Sequence, residues 1–234
     1  MSESSASSAE EQVATGGTRS PRGPGTVTPL SVAMKQGSIA EHDAAEQSPY
    51  VSELLSGRVN RRGYADYLLR LRMVYDALEA AVRAWRDDPL VASVYDPALE
   101  RVTAIDADLD FWAPGAVRQV DSPAAQSYRN RLAGASWGGA LVAHHYTRYL
   151  GDLSGGQAIG KTLNRTFGLD GAGLAFYKFP VRAKPYKDAY RARLDNLAMD
   201  ATDIGRAVAE VKTAFNLNRA LFDELAENLP AYRR

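Results

Sequence analysis

The chain has 234 residues, 28 basic and 28 acidic side chains, 45% hydrophobic content and no cysteine. That length gives one domain with a sizeable core, and zero net charge removes the long-range field that draws proteins to nucleic acid. Missing cysteines exclude disulfides, thiolate metal sites and iron–sulfur ligation, and no apolar run approaches the roughly 20 residues that a membrane-spanning helix requires.

Residues 1–29 contain no Leu, Ile, Phe, Tyr or Trp. A segment so poor in large apolar side chains cannot offset its ordering entropy, so it reads as a disordered leader without a secretory h-region. The folded domain is then 30–234, with a cytoplasmic location. The first predicted helix carries Lys35, His42 and Glu46. Seven residues separate the first two, about two turns and roughly 10.5 Å along one face, and Glu46 lies one further turn along.

Between Tyr64 and Trp85, the residues Tyr64, Leu68, Leu71, Tyr75, Leu78, Val82 and Trp85 step by four and three, the stripe of a long helix. Its other faces carry Arg70, Arg72, Asp76, Glu79 and Arg83. Asp96-Pro97 and Ser122-Pro123 mark helix starts, and Gly57 and Gly168 mark ends. The segment 171–181 is short and aromatic and reads as a packed connection. With no sustained period-two alternation, the fold class is all-α, a multi-helical single domain.

The segment 141–167, LVAHHYTRYLGDLSGGQAIGKTLNRTF, keeps helical spacing through Val142, Tyr146, Tyr149, Leu153, Gly156, Gly160, Leu163 and Phe167. Each interior glycine costs ~0.8–1.0 kcal/mol relative to alanine, so Gly151, Gly155, Gly156 and Gly160 together forgo roughly 3–4 kcal/mol. Three explanations remain open: close helix–helix packing, a break at Ser154-Gly155-Gly156, or a bare face against which a large planar ligand lies. Asp152, a carboxylate among residues that give up their side chains, suits a hydrogen-bond network near such a ligand.

The residues 143–157, AHHYTRYLGDLSGGQ, resemble the signature of the biliverdin-forming haem oxygenases, of the soluble bacterial type. The stretch 34–46, MKQGSIAEHDAAE, resembles that family's proximal helix. The resemblance runs from about Leu30 to Leu229, and 108–120 carries no alignable motif. It implies a haem sandwiched between a proximal helix and a kinked, glycine-rich distal helix. The metal ligand would be His42, with Glu46 accepting a hydrogen bond from the nitrogen that does not bind iron. The segment 185–193, PYKDAYRAR, is similar to the propionate-binding helix, which makes Lys35, Tyr146, Lys187 and Arg191 the clamp for the carboxylates. In 213–222, TAFNLNRALF, the residues Phe215, Asn218 and Phe222 would line the pocket, with Gly156 on the distal side.

What the resemblance implies is an enzyme for which haem is both substrate and prosthetic group, cleaved with O2 and electrons from an external donor to biliverdin, carbon monoxide and ferrous iron. Gly151 and Gly155 would crowd the bound gas with backbone, and Asp152, through ordered water, would direct attack onto the ring. A non-catalytic haem carrier is the alternative, which leaves Asp152 without a purpose. His144 and His145 are given structural roles. An acidic ferredoxin or flavoprotein reductase would dock on Arg58, Arg61, Arg62, Arg148, Lys184 and Lys187. The expected protein is a monomer that binds neither nucleic acid nor membrane.

Overall fold

A computed structural model describes residues 28–234; the leader expected over 1–29 lies outside the described residues except for its last two positions. The helices are α1 (Leu30–Gly37), α2 (Ile39–Glu46), α3 (Pro49–Leu55), α4 (Arg61–Ala84), α5 (Pro89–Ala92) and α6 (Val102–Trp112). After these come α7 (Pro123–Ala133), α8 (Gly138–Gly151), α9 (Gln157–Phe167), α10 (Ala183–Asp195), α11 (Ala201–Ala226) and α12 (Leu229–Tyr232). The described residues form no strand, so the all-α expectation holds, and no helix among them is long and apolar enough to cross a membrane.

The long stripe predicted on α4 is buried from Tyr64 to Val82, with Trp85 half-buried at the C-cap. Two residues assigned to its outer faces are not outside: Arg70 and Glu79 are buried. The reason is position, since α4 runs through the middle of the molecule with α6, α7, α8 and α11 around it. Both charges are matched there, Arg70 by Glu224 at 2.7 Å and Glu79 by the backbone N–H of Val102 at 3.1 Å.

Local signals fix the ends. Ser122 Oγ accepts from Ala125 N at 3.1 Å with Pro123 at the first helical position, and Gly168 ends α9 in the left-handed region at φ 61°. Asp96-Pro97 opens only a single 3-10 turn, Pro97–Leu99, and α6 begins at Val102. The aromatic connection is packed as expected: Phe176 and Tyr177 are buried, and the Asp108 carboxylate accepts from Ala175 N and Phe176 N at 2.7 and 2.8 Å.

The predicted first helix is two helices. It breaks at Ser38 (φ −121°, ψ 16°), whose hydroxyl donates to Met34 O at 2.8 Å. Gly37 sits so close to α11 that a Cβ would stand 2.5 Å from Val208 Cγ1. Packing thus decides the break, and Lys35 and His42 lie on consecutive short helices instead of on one straight face.

Candidate functional site

The glycine-rich segment neither breaks into a loop nor continues as plain α-helix. Residues Asp152–Gly156 form a π-helical turn between α8 and α9, a local widening that frequently marks functional sites. Its glycines divide by what surrounds them. A Cβ on Gly160 would stand 2.9 Å from Tyr177 Cγ, so close packing explains that position. A Cβ on Gly151 would meet nothing within 4 Å, and one on Gly155 would meet only Glu46 Oε1 at 3.7 Å. Gly151, Ser154 and Gly155 therefore present an exposed backbone surface, and Gly156 is half-buried behind them.

Opposite that surface stands α2, placed by its packing on α11. The His42 side chain is 46% exposed and rests edge-on against Phe215, centroids 5.3 Å apart. Its Nδ1 is 3.2 Å from Asp43 Oδ1 and its Nε2 is 3.4 Å from Glu46 Oε1. The same Glu46 oxygen approaches both His42 and the bare Gly155 position, so one exposed carboxylate spans the gap between the two walls. The partner of the second ring nitrogen is Asp43, which the sequence reading passed over; rotation of the half-exposed ring exchanges the two nitrogens.

Beneath the bare surface lies a buried polar network. Asp152 is 7% exposed, and Tyr75 donates a short hydrogen bond to its Oδ2. Arg148 Nη2 lies 3.8 Å from Asp152 Oδ1, its Nε and Nη2 donate to the Tyr75 hydroxyl at 3.2 and 3.0 Å, and its Nη1 donates to Asn218 Oδ1 at 2.8 Å. Burial raises the Asp152 carboxyl above the usual carboxylate range, opposed by Arg148 and by the Tyr75 hydrogen bond. Arg148 is therefore no surface residue: it is buried and removed from the expected docking patch. The signal for it was present, because Arg148 and Asp152 are spaced i, i+4 on one helix face. Asn218 belongs to this network beneath the surface, while the half-buried Phe222 packs on Tyr67 at 6.1 Å.

At one end of the gap, Lys187 Nζ donates to Ser154 Oγ at 2.7 Å, tying α10 to the π-helical turn. Burial, and then the neighbouring Arg191, lower the Lys187 pKa, and burial raises that of Tyr146, with Arg191 opposing. Tyr146, Lys187 and Arg191 thus gather at one place, Arg191 also pairing with Asp188 at 3.3 Å. Lys35 is exposed on α1, which packs along α10. Of the other expected docking residues, Lys184 pairs with Asp188 at 3.3 Å, Arg58 pairs with Glu53 at 2.7 Å, and Arg61 lies over Trp112 at 4.9 Å.

The two remaining histidines are structural in their contacts. His144 Nε2 lies 2.8 Å from Glu210 Oε1 and its Nδ1 lies 3.2 Å from the Tyr128 hydroxyl. His145 Nδ1 lies 2.9 Å from the Tyr190 hydroxyl. Burial lowers both imidazoles, that of His145 to about 3.

A half-exposed imidazole, a facing stretch of naked backbone, a buried carboxyl behind it and two cations at one end fit a flat, anionic, metal-bearing ring. The fold and site thus define an all-α protein built to hold such a ligand between two helical walls. The family model described as "Heme oxygenase" matches residues 28–224. Human "Heme oxygenase 1" is 39% identical over 209 residues, covering 86% of this chain and 73% of that protein. "Heme oxygenase 1" of the cyanobacterium Synechocystis is 35% identical over 206 residues, 86% of each chain. The crystal structure of heme oxygenase-1 from Synechocystis in complex with heme superposes with a TM-score of 0.82 at 34% identity, covering 87% of this chain and 95% of that one. The chain belongs to the haem oxygenase family.

Proposed function

We propose that this protein cleaves haem oxidatively, with O2 and reducing equivalents, to biliverdin, carbon monoxide and ferrous iron. Haem is the substrate, and its iron supplies the oxygen chemistry. The observation that carries the reading is the exposed Gly151 and Gly155 backbone facing His42, with Asp152 buried directly behind it.

His42 supplies one ring nitrogen to the iron while a carboxylate, Asp43 or Glu46, holds the other and fixes the imidazole's orientation. Phe215 supports that ring from the side. Gly151 and Gly155 let backbone approach the opposite face of the ligand, where any side chain would stand in the way, and Gly156 extends that surface. Lys35, Tyr146, Lys187 and Arg191 hold the propionates, whose negative charge relieves the repulsion between Lys187 and Arg191.

Asp152 would hold water above the ring by hydrogen bonding and relay a proton through it toward the ligand. Burial raises its pKa above the usual carboxylate range, the direction a proton-donating carboxyl needs. Tyr75 steadies one carboxyl oxygen, and Arg148, anchored by Asn218, steadies Tyr75 and lies 3.8 Å from the other oxygen. Phe222 backs the site from α11. Electrons come from an external donor, a ferredoxin or flavoprotein reductase, whose acidic face meets the exposed cations Lys184 on α10 and Arg58, Arg61 and Arg62 at the α3–α4 corner, with the half-buried Lys187 one turn beyond Lys184.

Haem-loaded protein given a reductant and air is expected to lose the haem absorbance and gain that of biliverdin. A haem spectrum that survives repeated reduction in air would assign the protein to haem carriage instead.

A further inference from the structure

The helix α10 carries Lys187 and Arg191, and tertiary contacts, one of them fully buried, fix how it is rolled about its own axis. Near its start the Tyr186 hydroxyl donates to Asp96 Oδ2 at 2.7 Å. At its end the Asp195 carboxylate accepts from the Ser31 N–H and hydroxyl of α1 at 2.8 and 2.9 Å. Between these, the fully buried Tyr190 meets His145 Nδ1 through its hydroxyl at 2.9 Å. The two rings are parallel to within 6°, with centroids 5.7 Å apart. Arg193 covers Tyr186 and Tyr190 at 5.6 and 5.5 Å and donates from Nε to Ser93 O at 2.8 Å.

Of these anchors His145 alone belongs to α8, the helix that leads directly into the bare glycines. Its neighbour in sequence is Tyr146, a member of the proposed propionate clamp. His145 also lines a cavity of about 10 Å³ with Glu79, Tyr95, Asp96, Glu100 and Tyr149. In the tautomer that carries its proton on Nε2, Nδ1 accepts from the Tyr190 hydroxyl. Burial keeps the imidazole neutral, so this bond persists throughout the physiological pH range.

We infer that His145 is a positioning residue which, through Tyr190, sets the roll of α10 and with it the in-plane rotation of bound haem, and so selects the meso carbon that is cleaved. The inference rests on the haem-cleaving reading above. The lever is short: with side chains a helix has a radius of about 5–6 Å, so a roll of about 10° moves the heads of Lys187 and Arg191 by about 1 Å. A displacement of that size at the propionates turns the whole ring relative to Gly151, Gly155 and Asp152.

The test uses the full chain with ferric haem and three variants. Tyr190→Phe removes the hydroxyl and keeps the ring, His145→Leu removes both nitrogens, and His145→Asn keeps a polar atom where Nδ1 stands. Haem methyl resonances of the ferric complex report ring orientation without turnover, and chromatography of the product reports the bilin isomers. Tyr190→Phe and His145→Leu are expected to change both ratios by roughly fivefold, the population change that loss of one hydrogen bond produces. His145→Asn should restore the wild-type ratios. Should His145→Leu fail to fold, Tyr190→Phe still decides. Wild-type ratios in Tyr190→Phe with haem bound, whatever the loss of stability, would overturn the inference and leave His145 a packing residue. A wild-type protein that yields no bilin would overturn the assigned reaction instead, and the resonances of the bound ring would still decide whether His145 orients it.

Discussion

Alanine at Gly151 separates a glycine kept for a ligand from one kept for packing. Gly151 has ordinary helical dihedrals, φ −62° and ψ −49°, and a Cβ there has no neighbour within 4 Å. Alanine in a helix is favoured over glycine by about 0.8–1.0 kcal/mol, so Gly151→Ala stabilises the ligand-free protein by about that amount. For a domain of this size the gain raises Tm by about 2–4 °C. At Gly160 the same substitution sets a Cβ 2.9–3.1 Å from three atoms of Tyr177. That ring is buried and its hydroxyl is tied to Tyr64 at 3.2 Å, so it cannot step aside. Overpacking of this kind costs about 1–3 kcal/mol, which outweighs the propensity gain and lowers Tm. Thermal unfolding by circular dichroism, followed by haem titration and bilin formation, measures both halves. Gly151→Ala should be the more stable protein and the poorer enzyme, because its methyl projects into the gap facing His42. A lower Tm for Gly151→Ala would mean that the position is packed after all. A raised Tm with wild-type turnover would mean that the bare face does not cover the ligand.

Asp152→Ala is expected to bind haem with near wild-type affinity and to form biliverdin about 10²-fold more slowly, the scale of a lost general acid; undiminished turnover would remove Asp152 from the proton path. In His42→Ala the nitrogen hyperfine signal from the protein ligand should vanish from the ferric complex, and its persistence would assign the iron to another histidine. Lys187→Ala should weaken haem binding about tenfold by titration, as loss of a charged hydrogen bond does, and an unchanged affinity would place the propionates elsewhere. His145, with a folded pKa of about 3 against an unfolded value near 6.5, is neutral in the native state. Below pH of about 6.5 the unfolded chain binds the extra proton, so stability falls as pH drops from there toward 3. His145→Asn should flatten that limb in urea midpoints measured against pH; an unaltered slope between pH 6 and 4 would refute the buried neutral state.

Much of the architecture was legible because it is local. The stripe of α4, the Ser122-Pro123 start of α7 and the glycine end of α9 each depend on side chains within a few residues of one another. Misreadings came where distant elements meet. Arg70, Glu79 and Arg148 look like surface charges by composition, and each is buried because another helix brings a partner. Asp108 showed no motif in the sequence, yet it holds the aromatic connection through two backbone N–H groups from a segment far along the chain.

The sequence alone determined the all-α class, the histidine and cation positions, and the family resemblance carried by residues 143–157. These rest on residue identity and helical period, which the chain states one turn at a time. Helical period and propensity could not distinguish Gly151 and Gly155, which the resemblance alone singled out, from Gly160, since all three look alike until Tyr177 packs against one and solvent borders the others. Nor could the sequence join Tyr75, Arg148 and Asn218 to Asp152 or pair His145 with Tyr190. Those bonds link α4, α8, α10 and α11, and only the packing of helices far apart in the chain brings their side chains within reach.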